Sequence, residues 1–395
     1  MTNFLWGAAT SPHQVEGNNV NSDWWKRERD FPEMFDRSGD ADDSYHRFAE
    51  DMRLLADAGL NSYRFGIEWA RIEPVPGHIS RAELQHYRRM IDTAFELGLT
   101  PVVTLQHFTV PLWFSHEGGW LADTAIERWR SYVEATTEIL HDVPWIVTIN
   151  EPNILALMWL LDDALATHGI EGLNLSAGAQ TLASVVPDEG ISLRLIEAHH
   201  AAREVLKSRV GGNVGWTVAN QSFERTPGNE ELYSTIKYAW EDRFLEASRD
   251  DDFIGVQAYT SQQIDANGIV AHPPNPDNTL AGWAYRPDAI GIALRNSADV
   301  TGGVPALITE NGIATADDER RIAYTSVALE HVAAAMVDGI DVRGYLHWSA
   351  LDNFEWGNWK PTFGLIAVDR STFVRTPKPS LAWLGGMARN GPPSA

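Results

Sequence analysis

Eight short apolar runs, separated by stretches of helical period and spread over 395 residues, predict an α/β fold, a single closed (β/α)8 TIM barrel. Near-continuous apolar runs are what a parallel sheet buried on both faces requires, and parallel strands need long crossover connections, usually helices. The length exceeds an average domain but suits a barrel with insertions.

The runs are Leu5–Ala9, Ser62–Ile67, Pro101–His107, Trp145–Asn150, Val214–Ala219, Phe253–Ala258, Pro305–Thr309 and Val342–Trp348. Between them, Ala49–Ala58, Glu83–Leu97, Thr124–Leu140, Leu193–Lys207 and Thr325–Val337 repeat apolar residues at helical spacing. Gly59, Gly98 and Gly339 follow such stretches and suit helix C-caps. The fifth unit is the weakest, with one helical candidate at Leu232–Ala247, and Asp162–Gly190 reads as a loop rich in Gly, Ala and Ser. Residues 1–385 are expected to form the barrel and 386–395 a flexible C-terminal tail.

Composition excludes several classes. The 54 acidic against 31 basic residues give a net charge of −23, which repels nucleic acid over most of the surface. With no cysteine there is no disulfide, thiolate metal site or cysteine nucleophile, as suits a reducing cytoplasm. The start at Met1 lacks a basic and then apolar leader, and the apolar stretch Ile154–Leu161 is too short to span a bilayer. The expectation is a soluble cytoplasmic protein with no nucleic-acid or membrane partner, open to homo-oligomerisation. His13, His46, His107 and His116 form no metal-ligand spacing, so neither metal nor organic cofactor is expected.

In such a barrel the chemistry lies where strands end. Those ends supply Gln14, Arg64, His107-Phe108, Asn150-Glu151, Tyr259, Glu310 and Trp348, followed by Asn353-Phe354-Glu355-Trp356. Two of them, in Thr148-Ile149-Asn150-Glu151-Pro152 and Ile308-Thr309-Glu310-Asn311-Gly312, place a glutamate after an apolar run. A carboxyl pair is the minimal equipment for cleaving a glycosidic bond, one protonating the leaving oxygen and the other attacking the anomeric carbon. Indole faces and hydroxyl-binding side chains on the same rim suit a sugar.

These segments, with Phe4-Leu5-Trp6-Gly7-Ala8-Ala9-Thr10, Gln14, Glu16-Gly17, Tyr63-Arg64-Phe65, Trp69-Ala70-Arg71-Ile72 and Trp348-Ser349-Ala350-Leu351-Asp352-Asn353-Phe354-Glu355-Trp356, resemble glycoside hydrolase family 1, the β-glucosidase and β-galactosidase family. The resemblance runs from Phe4 to about Trp383. It implies that Glu151 is the acid/base and Glu310 the nucleophile, with Arg64 and Tyr259 keeping Glu310 ionised at a low pKa and Asn150 donating to the sugar 2-hydroxyl. It also implies that Gln14, His107 and Glu355 bind hydroxyls and that Trp348, Trp356, Phe108 and Phe363 wall the sugar.

Three departures stand out. Phe108 replaces a usual Trp and removes an indole donor, Gln257-Ala258-Tyr259 stands where the family has Asn-Tyr-Tyr, and the chain is short from Asn220 to Tyr259. A carboxylate at Glu355 would repel a sugar phosphate, and Lys360 lacks companion residues for one. The resemblance thus implies a retaining exo-β-glycosidase acting on terminal β-D-glucosyl, β-D-fucosyl or β-D-galactosyl residues of a small β-glycoside or oligosaccharide. The alternatives are a transglycosylase using the same intermediate and a barrel that binds carbohydrate without cleaving it.

Overall fold

Eight parallel strands, β1 (Leu5–Ala9), β2 (Ser62–Gly66), β3 (Thr100–Gln106), β4 (Trp145–Asn150), β5 (Asn213–Ala219), β6 (Ile254–Gln257), β7 (Ala306–Asn311) and β8 (Val342–Trp348), close into one barrel. These are the eight apolar runs, shifted at their ends by a residue or two. The structure is a computed structural model and describes residues 4–159 and 185–394. The loop expected at Asp162–Gly190 lies mostly outside the described residues, and its last part opens a helix, Glu189–Arg209, capped by Asp188.

Strand side chains alternate between two environments. Leu5, Val102, Val147, Phe253, Leu307 and Leu346 form a separate apolar cluster that fills the barrel interior. Ile146, Ile149, Val214, Val256 and Ile308 join the large outer cluster against the helices. Strict alternation would put Val147 and Asn150 on opposite faces, because three residues separate the two positions. Register shifts between Val147 and Asn150 in β4, and between Ile308 and Glu310 in β7, cancel that odd spacing. Asn150 and Glu310 therefore join the interior above Val147 and Leu307, as bulges beside functional sites commonly arrange.

The helices differ in length from the sequence expectation: the one expected at Thr124–Leu140 ends at Thr136, while others start earlier. The stretch expected from Thr325 begins at Asp318, capped by the Asp317 side chain. Its first turns hide a core-facing cation. Arg321 is buried and donates from Nη2 to the carbonyls of Thr315 and Thr362 (2.6 and 2.9 Å), so the helical pattern there reads as polar. Ala289–Thr301, after β6, is a helix that the sequence pattern did not separate from its surroundings. Gly59, Gly98 and Gly339 all take positive φ just beyond helices, as their expected C-cap role requires.

The segment expected as a tail, 386–395, overlaps the end of the last helix. The last helix, Pro379–Arg389, passes straight through Gly385, and the segment is tied down by Arg389 Nη1 donating to Ala58 O (2.9 Å) and Trp6 Nε1 donating to Gly391 O (3.0 Å). A small residue that looks like a frayed end is instead a close approach between helices. Among the described residues, no helix is long and apolar enough to cross a membrane.

Barrel closure depends on a comparable approach at Gly7, where an added Cβ would lie 2.3 Å from Ser62 O on β2 and 2.9 Å from Leu346 Cδ2 on β8. Backbone cannot yield as a side chain would, so Gly7→Ala is expected to cost about 3 kcal/mol, the upper end of the usual overpacking range. Urea unfolding measures this, and an unchanged midpoint would show that the strands tolerate the extra methyl.

Candidate active site

Above the apolar plug the barrel presents a polar layer, one residue from each of six successive strands: Arg64, Thr104, Asn150, Thr217, Gln257 and Glu310. Their bonds form a closed circuit. Arg64 donates from Nη1 to Glu310 Oε1 (2.5 Å), from Nη2 to Asn150 Oδ1 (2.5 Å) and from Nε to Thr104 Oγ1 (3.0 Å). Gln257 Nε2 spans the same two acceptors, Glu310 Oε1 at 2.8 Å and Asn150 Oδ1 at 3.0 Å, and Thr217 Oγ1 adds a third bond to Asn150 Oδ1 at 3.0 Å. Tyr259 OH donates to the other oxygen of that carboxyl, Glu310 Oε2 (2.5 Å). With its oxygen saturated, Asn150 turns its Nδ2 toward His107 Nε2, 3.3 Å away.

A cavity of about 280 Å³ opens above this layer. Glu151, Glu310, His107, Phe108, Tyr259, Trp348, Glu355, Trp356 and Phe363 all line it. The rings are stacked in a row, with His107 parallel to both Trp348 (5.8 Å) and Trp356 (5.9 Å) and Phe108 edge-on to Trp356 (4.8 Å). Phe108, Glu151 and Trp356 adopt positive φ of 66°, 45° and 46°, a region that non-glycine residues occupy at a cost and that clusters at functional sites. Glu151 holds its position through its backbone, N–H to Thr217 O (3.0 Å), at the start of the helical segment 152–159.

The two glutamates sit in unlike fields. Burial raises the pKa of Glu151 well above the carboxylate range, and the charge of Glu310 raises it further. Burial raises Glu310 as well, but Arg64, Tyr259 and Gln257 all oppose it. When one proton is shared between them, Glu151 therefore holds it and Glu310 carries the charge. Burial also keeps His107 neutral, with Arg64 adding to the effect, and pushes Glu355 up to about 8.

The sequence model of "Glycosyl hydrolase family 1" matches residues 1–167 and 239–391. The chain belongs to glycosyl hydrolase family 1. It is 32% identical over 439 residues to "Thermostable beta-glucosidase B" of Thermobispora bispora, covering 98% of this chain and 90% of that protein. It is 30% identical to the "Bifunctional beta-D-glucosidase/beta-D-fucosidase" of Bifidobacterium breve, covering 96% of each. The crystal structure of the β-glycosidase BGL167 superimposes with a TM-score of 0.88 at 43% identity, covering 100% of this chain and 98% of that one.

Placement refines several expectations for this family 1 glycoside hydrolase. Gln14 does not line the cavity. Its Nε2 donates to Phe354 O (2.7 Å) and Glu355 Oε2 (3.3 Å), and its Oε1 accepts from Ser11 Oγ (2.6 Å), so it orients Glu355 from behind. Arg64 and Asn150 likewise lie beneath the cavity floor, fully buried. The expected low pKa of Glu310 is corrected, because burial outweighs its three donors and only the order of the two glutamates survives. The charge of Glu355 is also largely quenched near neutral pH, so repulsion of a phosphate by that residue loses force.

Sequence reading missed Gln257, which appeared only as a lost Asn, although it closes an apolar run on the same rim. Trp240 and Trp283 also line the cavity from segments outside any barrel strand, where no strand end signals them.

Removing the phenol from Tyr259 takes a donor from the ionised form of Glu310, which raises that carboxyl's pKa further. In Tyr259→Phe the acid limb of the kcat/KM profile should move to higher pH, with activity at pH 7 down by about tenfold to a hundredfold, the worth of a bond to a charged group. An acid limb that stays put would separate Tyr259 from the titration of Glu310.

Proposed function

We propose that this chain is a retaining exo-β-glycosidase in which Glu310 is the nucleophile and Glu151 the acid/base, acting on terminal β-D-glucosyl residues and accepting β-D-fucosyl or β-D-galactosyl. The observation that carries the reading is the unequal setting of two buried glutamates on one cavity. In the first step the Glu310 carboxylate bonds to the anomeric carbon, the bond to the leaving oxygen breaks, and that oxygen takes the proton of Glu151. Glu310 is then a neutral ester, and the field that held the proton on Glu151 is gone. Its carboxylate accepts a proton from water, the hydroxyl attacks the anomeric carbon with release of Glu310, and the starting charges return.

Asn150 has its oxygen fixed by three donors and its Nδ2 facing His107; family resemblance gives that amide a bond to the 2-hydroxyl, which would strengthen as charge develops. The rings of Trp348, Trp356, Phe108 and Phe363 supply apolar walls, and neutral His107 and Glu355 supply hydroxyl partners. A free sugar is favoured over a phosphorylated one because, among the described residues, neither lysine nor arginine lines the cavity. Lys360, the nearest candidate in sequence, is exposed. The relatives named as β-glucosidases and as a β-glucosidase/β-fucosidase support the glycone assignment. The cysteine-free composition and charge of −23 support a cytoplasmic enzyme without nucleic-acid partners.

The two glutamates separate by leaving group. In Glu151→Ala, hydrolysis of an alkyl β-glucoside should fall by about a thousandfold, the usual range for loss of a general acid, while a dinitrophenyl β-glucoside still glycosylates the enzyme. Azide needs no deprotonation and should restore turnover as the β-glycosyl azide. An α-azide product would mean direct displacement and would exchange the two roles.

A further inference from the structure

One more buried carboxylate stands behind the cavity wall, in the unit that the sequence left weakest. The segment after β5 is not one helix. Between Glu230–Lys237 and Arg243–Ala247 the chain makes a π turn, Tyr238–Asp242. Such turns widen the backbone by one residue and concentrate at functional sites. This one carries Trp240 and Glu241.

Trp240 lines the cavity together with Ile154, Ala219 and Gln221. Its carbonyl accepts from Asn153 Nδ2 (2.9 Å), which also bonds to Ala219 O (2.7 Å), so the turn is fastened two residues beyond Glu151. The indole Nε1 is spent on Val185 O (3.2 Å), which leaves only carbon faces and edges for a ligand. Glu241 is buried behind the wall and is absent from the cavity lining. Its Oε1 accepts two successive backbone N–H groups, Gln221 at 2.6 Å and Ser222 at 3.1 Å, and its Oε2 accepts from Asn296 Nδ2 at 3.2 Å. Ser222 takes a positive φ of 51°, the conformation that aims both amides at one carboxylate. Glu241 thereby locks the strand end bearing Gln221 to the turn bearing Trp240.

We propose that the Trp240–Glu241 turn sets leaving-group specificity: Trp240 offers its face to a flat, apolar aglycone, and Glu241 is the positioning residue that holds Trp240 and Gln221 in register with Glu151. The inference rests on the reading of Glu151 as proton donor, since the leaving oxygen, and so the aglycone, must lie beside that carboxyl. Ile154, one helical turn beyond Glu151, extends the same apolar surface.

Contacts to the leaving group act only in the first step, because the aglycone has departed before water attacks. A merely structural defect would slow both steps. The test uses the full chain and compares kcat/KM for aryl β-glucosides with that for methyl β-glucoside. It also measures the reactivation rate of an isolated 2-deoxy-2-fluoroglucosyl-enzyme, which holds no aglycone. Glu241→Ala should lower the aryl-to-methyl ratio by about tenfold, within the range that an apolar pocket discriminates. Reactivation should stay within about twofold. Glu241→Gln, which keeps an acceptor for the two amides, should recover most of the ratio. Trp240→Leu should lower the ratio in the same way, and it answers the question if Glu241→Ala does not fold.

An unchanged ratio in both Glu241→Ala and Trp240→Leu, or equal losses for every substrate with slowed reactivation, would overturn the proposal. Failure of the unmodified chain to cleave any β-glycoside would instead remove the glycosidase reading beneath it.

Discussion

The site is organised by a single buried cation. Arg64 has no exposure to water, and a guanidinium so placed is tolerable only where its donors meet acceptors of matching charge and geometry. Glu310 and Asn150 meet them, and each is reached by a register irregularity in its own strand. Without those shifts the two residues would face the helices, and Arg64 would be left as an uncompensated charge in the barrel. The same pairing makes the glutamates unequal. It favours charge on Glu310, and that charge favours a proton on Glu151.

Much of the fold was legible because the barrel strands are buried on both faces and read as unbroken apolar runs. Boundaries failed where polar groups serve the interior. Arg321 conceals two turns of a core-facing helix, since its cation is paired with Asp318 and bonded to two carbonyls that no sequence pattern announces. Gly385 looks like the start of a loose end, yet its missing side chain is what lets the last helix lie against Ala58, whose carbonyl oxygen would be 1.9 Å from an added Cβ. The π turn at Tyr238–Asp242 was hidden inside one helical candidate, because a single inserted residue barely disturbs the apolar period.

In the site, residues at strand ends were legible and their layering was not. Position in the chain puts Gln14, Arg64 and Asn150 on the rim, but it does not distinguish the cavity lining from the supports beneath and behind it. Gln257 shows the converse. As a departure from an expected Asn it looked like a loss, whereas its longer amide reaches both Glu310 and Asn150. Electrostatics followed the same division. The direction of the Glu151 shift follows from burial and from a second carboxyl on the same cavity, but the rise of Glu355 to about 8 depends on burial outweighing the bonds that Trp348 and Gln14 donate to it.

The account stands on the claim that the charge on Glu310 adds to burial in holding the proton on Glu151. Carbon-13 NMR titration of labelled glutamate, in the free enzyme and again after Glu310 has been trapped as a 2-deoxy-2-fluoroglucosyl ester, measures that coupling directly. The Glu151 carboxyl should titrate at clearly lower pH in the trapped enzyme, because esterification removes the neighbouring negative charge while Arg64 remains. A Glu151 pKa that stays constant or rises on trapping would contradict the account.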